Sequence, residues 1–389
     1  MVGFDSGVLS MRICFIIDSF RFGGAQKVTY DLVKSLRDND NIKVDVVTYF
    51  DKIEILDAKA LEIKNVTICG LSRASVLSYL DALMFKTFGK LYQYLMSSFY
   101  TRSLMRQLDI NSYDKILLVS DAAFFPFHRL KHYHNKITFI THSIKSKQYL
   151  KSNFFLVKFL LKTLVKKVFS NVHLVAVSEG IRADIITNFG VNESKVNTIY
   201  NLLPFKDIKT KAQLAPEISV SQEYICHVGR HSSEKRIDIL LLAYKRLVDN
   251  GFTESLLLIG DGPERIKLES MVKSLGLSNK VTFCGFLSNP YPLVSKSKCL
   301  VLSSEREGLP TVIIEALCLG VPVVSTNCES GPSEIMQGKL AEYLTRVNCS
   351  DDLANKISSV LLGNYPEVKV PNVFSSDTII LSWIDYLND

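Results

Sequence analysis

Apolar runs suited to buried strands alternate with stretches of helical spacing along almost the whole chain, in two series separated by a polar break. The first series opens with the strand pattern Met11–Asp18 and the helical pattern Gln26 to Leu36. It continues with strands expected at Val44–Tyr49, Val66–Cys69, Lys115–Val119, Lys136–Thr141 and His173–Val177. The second has strands expected at Tyr224–Val228, Ser255–Ile259, Val281–Cys284, Cys299–Leu302 and Val321–Ser325, with helices at Ile237–Val248 and Glu264–Leu275. Between them residues 205–222 are polar, carry Pro216 and lose periodicity, so they read as a linker. A strand–helix–strand unit returns the chain to the same end of the sheet, so the strands run parallel and helices cover both faces. The expected fold is α/β, with two doubly wound domains at 11–205 and 222–372. The apolar segment Thr378–Leu387 holds the only tryptophan, Trp383, and reads as a helix; a helix over 376–389 is a candidate to complete the first domain.

A chain of 389 residues is too long for one ordinary core, in keeping with two domains. At 47% apolar and 22% charged residues it is a folding chain and not a disordered one. Its formal charge of +7 permits nucleotides, lipid phosphates or nucleic acid as partners but selects none of them. A compact basic-aromatic recognition motif is missing, so nucleic acid is not expected. The eight cysteines form no CxxC pair and most sit in apolar runs, which points to reduced thiols in a cytoplasmic protein and away from zinc. The first ten residues lack a signal-peptide pattern. No run reaches the ~18 apolar residues a spanning helix requires.

In doubly wound sheets ligands sit outside the carboxyl ends of the strands, and two such domains facing each other make a cleft. The strand tips therefore carry the functional reading. Gly229-Arg230 follows Tyr224–Val228, with Glu234, Lys235 and Arg236 just beyond. A planar arginine fork and a mobile lysine charge suit a diphosphate, although a solvated charged loop would look the same. Gly260-Asp261-Gly262-Pro263 is a turn, either a plain tight one or one lining the pocket, in which Pro263 can sit at the first position of the next helix. Gly285-Phe286 marks a third tip, where backbone can read a nucleobase edge and Phe286 flank it; a plain core phenylalanine is the alternative. After Cys299–Leu302 comes Glu-Arg-Glu-Gly-Leu-Pro-Thr-Val-Ile-Ile-Glu, residues 305–315. Pro310 can open a helix whose free amides and dipole favour an anion or a sugar oxygen. Glu307 can hold paired hydroxyls. Glu315 lies in the apolar run Val312–Leu317 and needs a partner, either a ribose diol or a basic side chain.

In the first series, Gly23-Gly24 lets backbone approach a ligand at a helix opening, without forming a GxGxxG fingerprint. His142, just past its strand, can donate to a sugar hydroxyl or be satisfied by a carbonyl. Ser178 suits a helix cap. Asp38-Asn39-Asp40 matches a metal-binding DxD by letter only, and no HExxH occurs, so no metal is expected. Cationic side chains and helix ends would neutralise phosphate instead.

These residues resemble the retaining glycosyltransferases of the GT4 family, which have the two-domain GT-B architecture of Rossmann-like domains facing across a cleft. The resemblance covers nearly the whole chain and is strongest from 224 to 335. It implies that Glu307 contacts the donor sugar and Glu315 the nucleotide ribose. Gly229, Arg230 and Lys235 would bind the diphosphate, and Gly308, Leu309, Pro310 and Thr311 would offer backbone contacts to sugar and phosphate. Gly23 and Gly24 would lie near phosphates and acceptor, with His142 approaching the donor sugar. The Glu-Lys-Arg at 234–236 departs from the family, where lysine is often followed by glycine. The run Ser325 to Ile335 resembles members that add hexoses or N-acetylhexosamines to bacterial surface glycans, which implies a UDP-linked donor; no cofactor is expected beside that donor substrate. The mechanism the family implies is front-face attack, with Arg230 and Lys235 stabilising the leaving diphosphate.

The acceptor then falls to the first domain. Residues 145–170 and 76–106 mix lysines and arginines with aromatic and aliphatic residues, as helices lying on an anionic bilayer do; faces packed on the domain explain the apolar part equally well. A polyprenyl-diphosphate-linked glycan acceptor at the inner face of the cytoplasmic membrane suits both charge and place. The rivals are a nucleotide-sugar epimerase, a phosphorylase and a non-catalytic nucleotide-sugar-binding protein.

Overall fold

The computed structural model describes residues 11–20, 23–49, 62–65, 76–119, 121–133, 135–150, 155–170 and 172–389. The strand expected at Val66–Cys69 lies outside them. The chain divides into two compact units, one running to Leu202 and including Ile379–Asp389, the other Leu203–Thr378.

The first unit is built on β1 (Met11–Ile17), β2 (Ile42–Thr48), β3 (Ile63–Asn65), β4 (Lys115–Val119), β5 (Ile137–Thr141), β6 (His173–Ala176) and β7 (Val196–Thr198). They form one sheet in the order β3-β2-β1-β4-β5-β6-β7, every pair parallel. Its central strands are buried on both faces: Ile13 through Ile17 and Ile116 through Val119 are fully covered. This is why they read as unbroken apolar runs. Ser178 caps the helix Glu179–Phe189, its hydroxyl accepting from the Ile181 N–H at 3.3 Å. The C-terminal helix Ser376–Asn388 contributes Trp383, which is buried, and Tyr386, whose hydroxyl lies 2.8 Å from that of Thr138.

The second unit holds β8 (Tyr224–Val228), β9 (Ser255–Ile259), β10 (Val281–Gly285), β11 (Cys299–Leu302), β12 (Val323–Thr326) and β13 (Leu344–Thr345). The order is β10-β9-β8-β11-β12-β13, again all parallel. Both units are thus Rossmann-like, as the alternation predicts. In each, the order reverses direction once, between β1 and β4 and between β8 and β11. At such a switch point the chain leaves two neighbouring strands toward opposite sides, and their loops open a crevice at the carboxyl end.

Two readings need correction. Part of the stretch read as a linker is a helix, Phe205–Ala212. It is too short to show a period, and Ile208 is its one buried residue. The residues after it are stitched to the second unit: Glu217 accepts from the Ser288 hydroxyl and the Asn289 amide, at 2.8 and 3.0 Å. Pro263 does not open the next helix, which is Arg265–Ser274. The Glu264 N–H is drawn instead to the His231 carbonyl at 2.9 Å, so the chain crosses to the β8 loop before it coils.

The tips of β8, β9 and β10 are drawn together through backbone. The Gly229 N–H donates to the Ile259 carbonyl at 2.9 Å, and the Gly260 N–H to the Gly285 carbonyl at 2.8 Å. Gly260 has φ +129, and a Cβ there would lie 2.0 Å from the Gly229 oxygen. Only glycine fits both the dihedral and the space. Gly260→Ala is expected to cost about 2–4 kcal/mol, read by urea unfolding; a loss under about 1 kcal/mol would mean the tips are not held as described.

Candidate functional site

The β8 and β11 loops are cross-linked at the switch point of the second unit. The Lys235 ammonium sits 2.6 Å from Glu307 Oε1, and the Ser304 hydroxyl donates to the same oxygen at 2.6 Å. The Ser303 hydroxyl donates to the Lys235 carbonyl at 2.8 Å, and the Glu305 N–H to the Glu234 carbonyl at 2.8 Å. Ser304 is fixed in turn, its carbonyl accepting from the Thr326 hydroxyl at 2.5 Å. The Lys235 side chain is 23% exposed and that of Glu307 10%. One oxygen of Glu307 is thus committed to protein donors. Lysine carries three N–H bonds, so one ion pair leaves donor capacity on Lys235.

The loop Gly308–Pro310 is braced from the loop beyond β12. The Ser330 hydroxyl donates to the Gly308 carbonyl at 2.7 Å. Gly331, at φ +90, lies so close that a Cβ would come within 2.3 Å of Pro310 Cδ. Pro310 occupies the cap position of the helix Thr311–Cys318, as its place before the apolar run implies. Leu309 is buried, Thr311 is half-buried, and Glu315 is buried within that helix. Arg230 is exposed on the β8 loop. Phe286, beside Gly285 at the β10 tip, is 53% exposed, which excludes a plain core phenylalanine. Gly23 precedes the helix Gly24–Arg37 of the first unit. At Gly24 a Cβ would meet nothing within 4 Å, so packing among the described residues does not require glycine there. His142 lines a small cavity of about 10 Å³ in the first unit with Ile140, Val177, Ile199 and Trp383. Lys235 and Glu307 are therefore in contact within the second unit, whereas Gly23, Gly24 and His142 belong to the first.

The sequence reading missed several groups. Ser303, Ser304 and Ser330 hold the loops through hydroxyls that no periodicity marks, although the first two stand directly before the acidic run. His227, in β8, is fully buried, and its Nδ1 donates to the Val301 carbonyl of β11 at 2.9 Å. A carbonyl only accepts, so Nδ1 carries the proton and Nε2 is a bare acceptor. Nε2 is buried without a hydrogen-bond partner among the described residues, and it would lie 3.3 Å from a Cβ on Gly229. Burial pushes the His227 pKa down to about 4, with Lys235 adding to the effect. Burial also lowers that of His231. Burial works against the Glu234 carboxylate, yet the Ser232 hydroxyl at 2.6 Å and the cations Lys235 and Arg306 hold its carboxyl below the usual range. Among the described residues no group of three or more His, Cys, Asp or Glu could hold a metal ion.

Comparison with known proteins gives this geometry a family. Residues 22–204 match Glycosyltransferase Family 4, and residues 209–374 match Glycosyl transferases group 1. The chain is 29% identical over 218 residues to a Campylobacter jejuni enzyme, N-acetylgalactosamine-N,N'-diacetylbacillosaminyl-diphospho-undecaprenol 4-alpha-N-acetylgalactosaminyltransferase, covering 56% of this chain and 58% of the relative. It is 32% identical over 189 residues to the lipopolysaccharide 1,6-galactosyltransferase of Escherichia coli, covering 44% of this chain and 50% of the relative. The chain thus spans about half the length of the curated relatives it matches. Its fold is similar to that of Anabaena HepE, solved in complex with UDP and glucose, with a TM-score of 0.73, 20% identity and coverage of 97% of this chain and 99% of that one. The chain belongs to the GT4-related glycosyltransferases of the GT-B fold.

The buried histidine makes a testable statement about pH. The unfolded chain binds a proton at His227 near pH 6.5, the folded chain only near pH 4. The unfolded state therefore binds more protons across that window, so stability is full above it and drains as the pH falls through it, by about 3 kcal/mol in all. His227→Gln is expected to flatten the pH dependence of the unfolding free energy between those values; an unchanged slope would contradict an uncharged, enclosed imidazole.

Proposed function

We propose that this protein is a metal-independent retaining glycosyltransferase that moves a hexose or N-acetylhexosamine from a UDP-linked donor to a hydroxyl of a glycan or polyprenyl-diphosphate-linked glycan. The observation that carries the reading is the contact of Lys235 with Glu307 at the β8–β11 switch point. It sets a cation and an acid side by side where a doubly wound sheet takes its ligand. Lys235, with Gly229 and Arg230, receives the diphosphate. Glu307, its second oxygen still available, accepts from sugar hydroxyls. Glu315 serves the ribose, Phe286 flanks the base, and the Gly308–Thr311 backbone donates to sugar and phosphate. His142 approaches the donor sugar, and Gly23 and Gly24 give phosphates and acceptor room to approach. The bond from the anomeric carbon to the diphosphate breaks as the acceptor oxygen attacks on the same face, and the acceptor proton passes to the departing phosphate oxygen. The positive charge of Lys235 and Arg230 favours the state in which that diphosphate has gained charge.

The relatives support the substrate classes: one is named for a diphospho-undecaprenol acceptor, another for lipopolysaccharide, and the structurally similar HepE holds UDP and glucose. The acceptor side is read from the first unit. On the helix Phe155–Phe169, Phe155, Leu156, Phe159 and Leu160 are 77%, 72%, 58% and 64% exposed, beside exposed Lys158 and Lys162. Leu91, Leu95 and Phe99 are also exposed, four residues apart on the helix Val76–Met105. Apolar side chains beside lysines suit the surface of an anionic bilayer, where the acceptor's lipid would lie. Among the described residues no helix is long and apolar enough to cross the membrane.

A panel of nucleotide sugars offered with a polyprenyl-diphosphate-linked sugar, with products read by mass and anomeric NMR, tests the activity. Transfer with retained anomeric configuration is expected from a UDP sugar; inversion, or conversion of the donor without an acceptor, would overturn the reading. Lys235→Ala and Glu307→Gln should each lower kcat/KM by about 10²–10³-fold. Turnover within about twofold of the parent would move the site elsewhere. Phe159→Asp with Leu160→Asp should abolish sedimentation with anionic vesicles at low salt and spare transfer to a water-soluble acceptor; sedimentation retained would remove this helix from the membrane account.

A further inference from the structure

We infer that Arg236 is a positioning residue whose side chain holds a left-handed turn that aims Lys235 at Glu307. Arg236 has φ 48 and ψ 43 and sits at the cap of the helix Ile237–Asp249, with no side-chain bond to the helix amides. Left-handed backbone is disfavoured for every residue with a Cβ other than as an isolated, well-supported exception. Among the described residues the non-glycine cases are Arg236 and Asn348, and the two are joined: Arg236 Nη1 donates to Asn348 Oδ1. The opposite edge of the guanidinium grips Asp238 through Nε at 3.0 Å and Nη2 at 2.9 Å. Such a planar fork, bound at several points, fixes orientation in a way a single contact does not.

The turn matters because of what immediately precedes it. The Lys235 carbonyl, in the peptide joined to Arg236, accepts from the Ser303 hydroxyl, and its ammonium reaches Glu307. Rotating residue 236 into the right-handed region turns that peptide and carries both ends of Lys235 away from the β11 loop. The guanidinium reaches from the β8 loop to Asn348, in the loop beyond β13, so the support comes from outside the site. Strained backbone persists where the surroundings over-determine it, and it gathers where geometry serves function. This inference deepens the reading of Lys235 as a diphosphate ligand.

The test separates the turn from the chemistry. Crystal structures of Arg236→Ala and Arg236→Gly are compared, with UDP affinity by calorimetry and Lys235→Ala as the reference. Alanine removes the clamp and keeps the backbone penalty; glycine removes both, because it takes this φ without cost. Arg236→Ala is expected to leave the left-handed region, lose the Lys235–Glu307 contact and bind UDP about tenfold more weakly or worse. Arg236→Gly should keep the contact and recover most of the affinity. Asn348→Gly, which suits the positive φ there and takes away the Oδ1 acceptor with the rest of the side chain, should weaken binding in the same direction and serves if the alanine variant does not fold. Arg236→Ala with the contact intact, or glycine no better than alanine, overturns the proposal. If Lys235→Ala leaves UDP affinity unchanged while Arg236→Ala breaks the contact, the diphosphate role of Lys235 fails and the positioning role stands.

Discussion

A parallel sheet reverses its strand order at only one place, and in the second unit that place decides which side chains can meet. Loops leaving β8 and β11 turn to opposite faces, so no helix intervenes between them at the carboxyl end. Lys235 comes from one and Glu307 from the other, 2.6 Å apart, although the two are far apart in sequence. The remaining features of the site maintain that meeting. Ser303, Ser304 and Thr326 fix the β11 loop, and Gly331 and Ser330 support its continuation into the helix that carries Glu315.

Stability alone is a poor reason for such a contact. A half-exposed ion pair contributes about 0–1 kcal/mol, and a more buried one is often matched by apolar residues of similar size. Here a carboxylate 10% exposed is held by two donors on one oxygen, beside a strained arginine and a buried histidine with an unused acceptor. Concentrating strained and underused polar groups at one strand end is the signature of a site arranged for a ligand. The glycines serve the same end: Gly260, where a Cβ would lie 2.0 Å from the Gly229 oxygen, lets backbone bonds draw the tips of β8, β9 and β10 into one shelf.

Much of this was readable from residues alone, and the physical reason is burial. Strands covered on both faces, such as Cys299–Leu302 and the Ile116 to Val119 part of Lys115–Val119, must be apolar without interruption, so their bounds could be read closely. Edge strands β7 and β13 are too short to show a pattern, and the helix Phe205–Ala212 was hidden because one buried residue cannot define a period. The acidic run and the glycine-led basic loop were visible as motifs, but their contact was not, since it depends on strand order. The hydroxyls of Ser304 and Ser330 and the bond from His227 to Val301 are tertiary facts with no local trace. The dihedral at Arg236 is likewise silent in the sequence; only its guanidinium's partners explain how a residue with a Cβ is kept there.

The central claim is that the Lys235–Glu307 pair organises a nucleotide-sugar site at the β8–β11 crevice. A crystal structure of the protein with UDP bound tests it most directly. The account predicts the diphosphate within hydrogen-bond reach of the Lys235 ammonium and the Gly229–Arg230 loop, the ribose beside Glu315, and Glu307 facing the space beyond the terminal phosphate. UDP held at any other strand end, with Lys235 and Glu307 clear of it, would contradict the account.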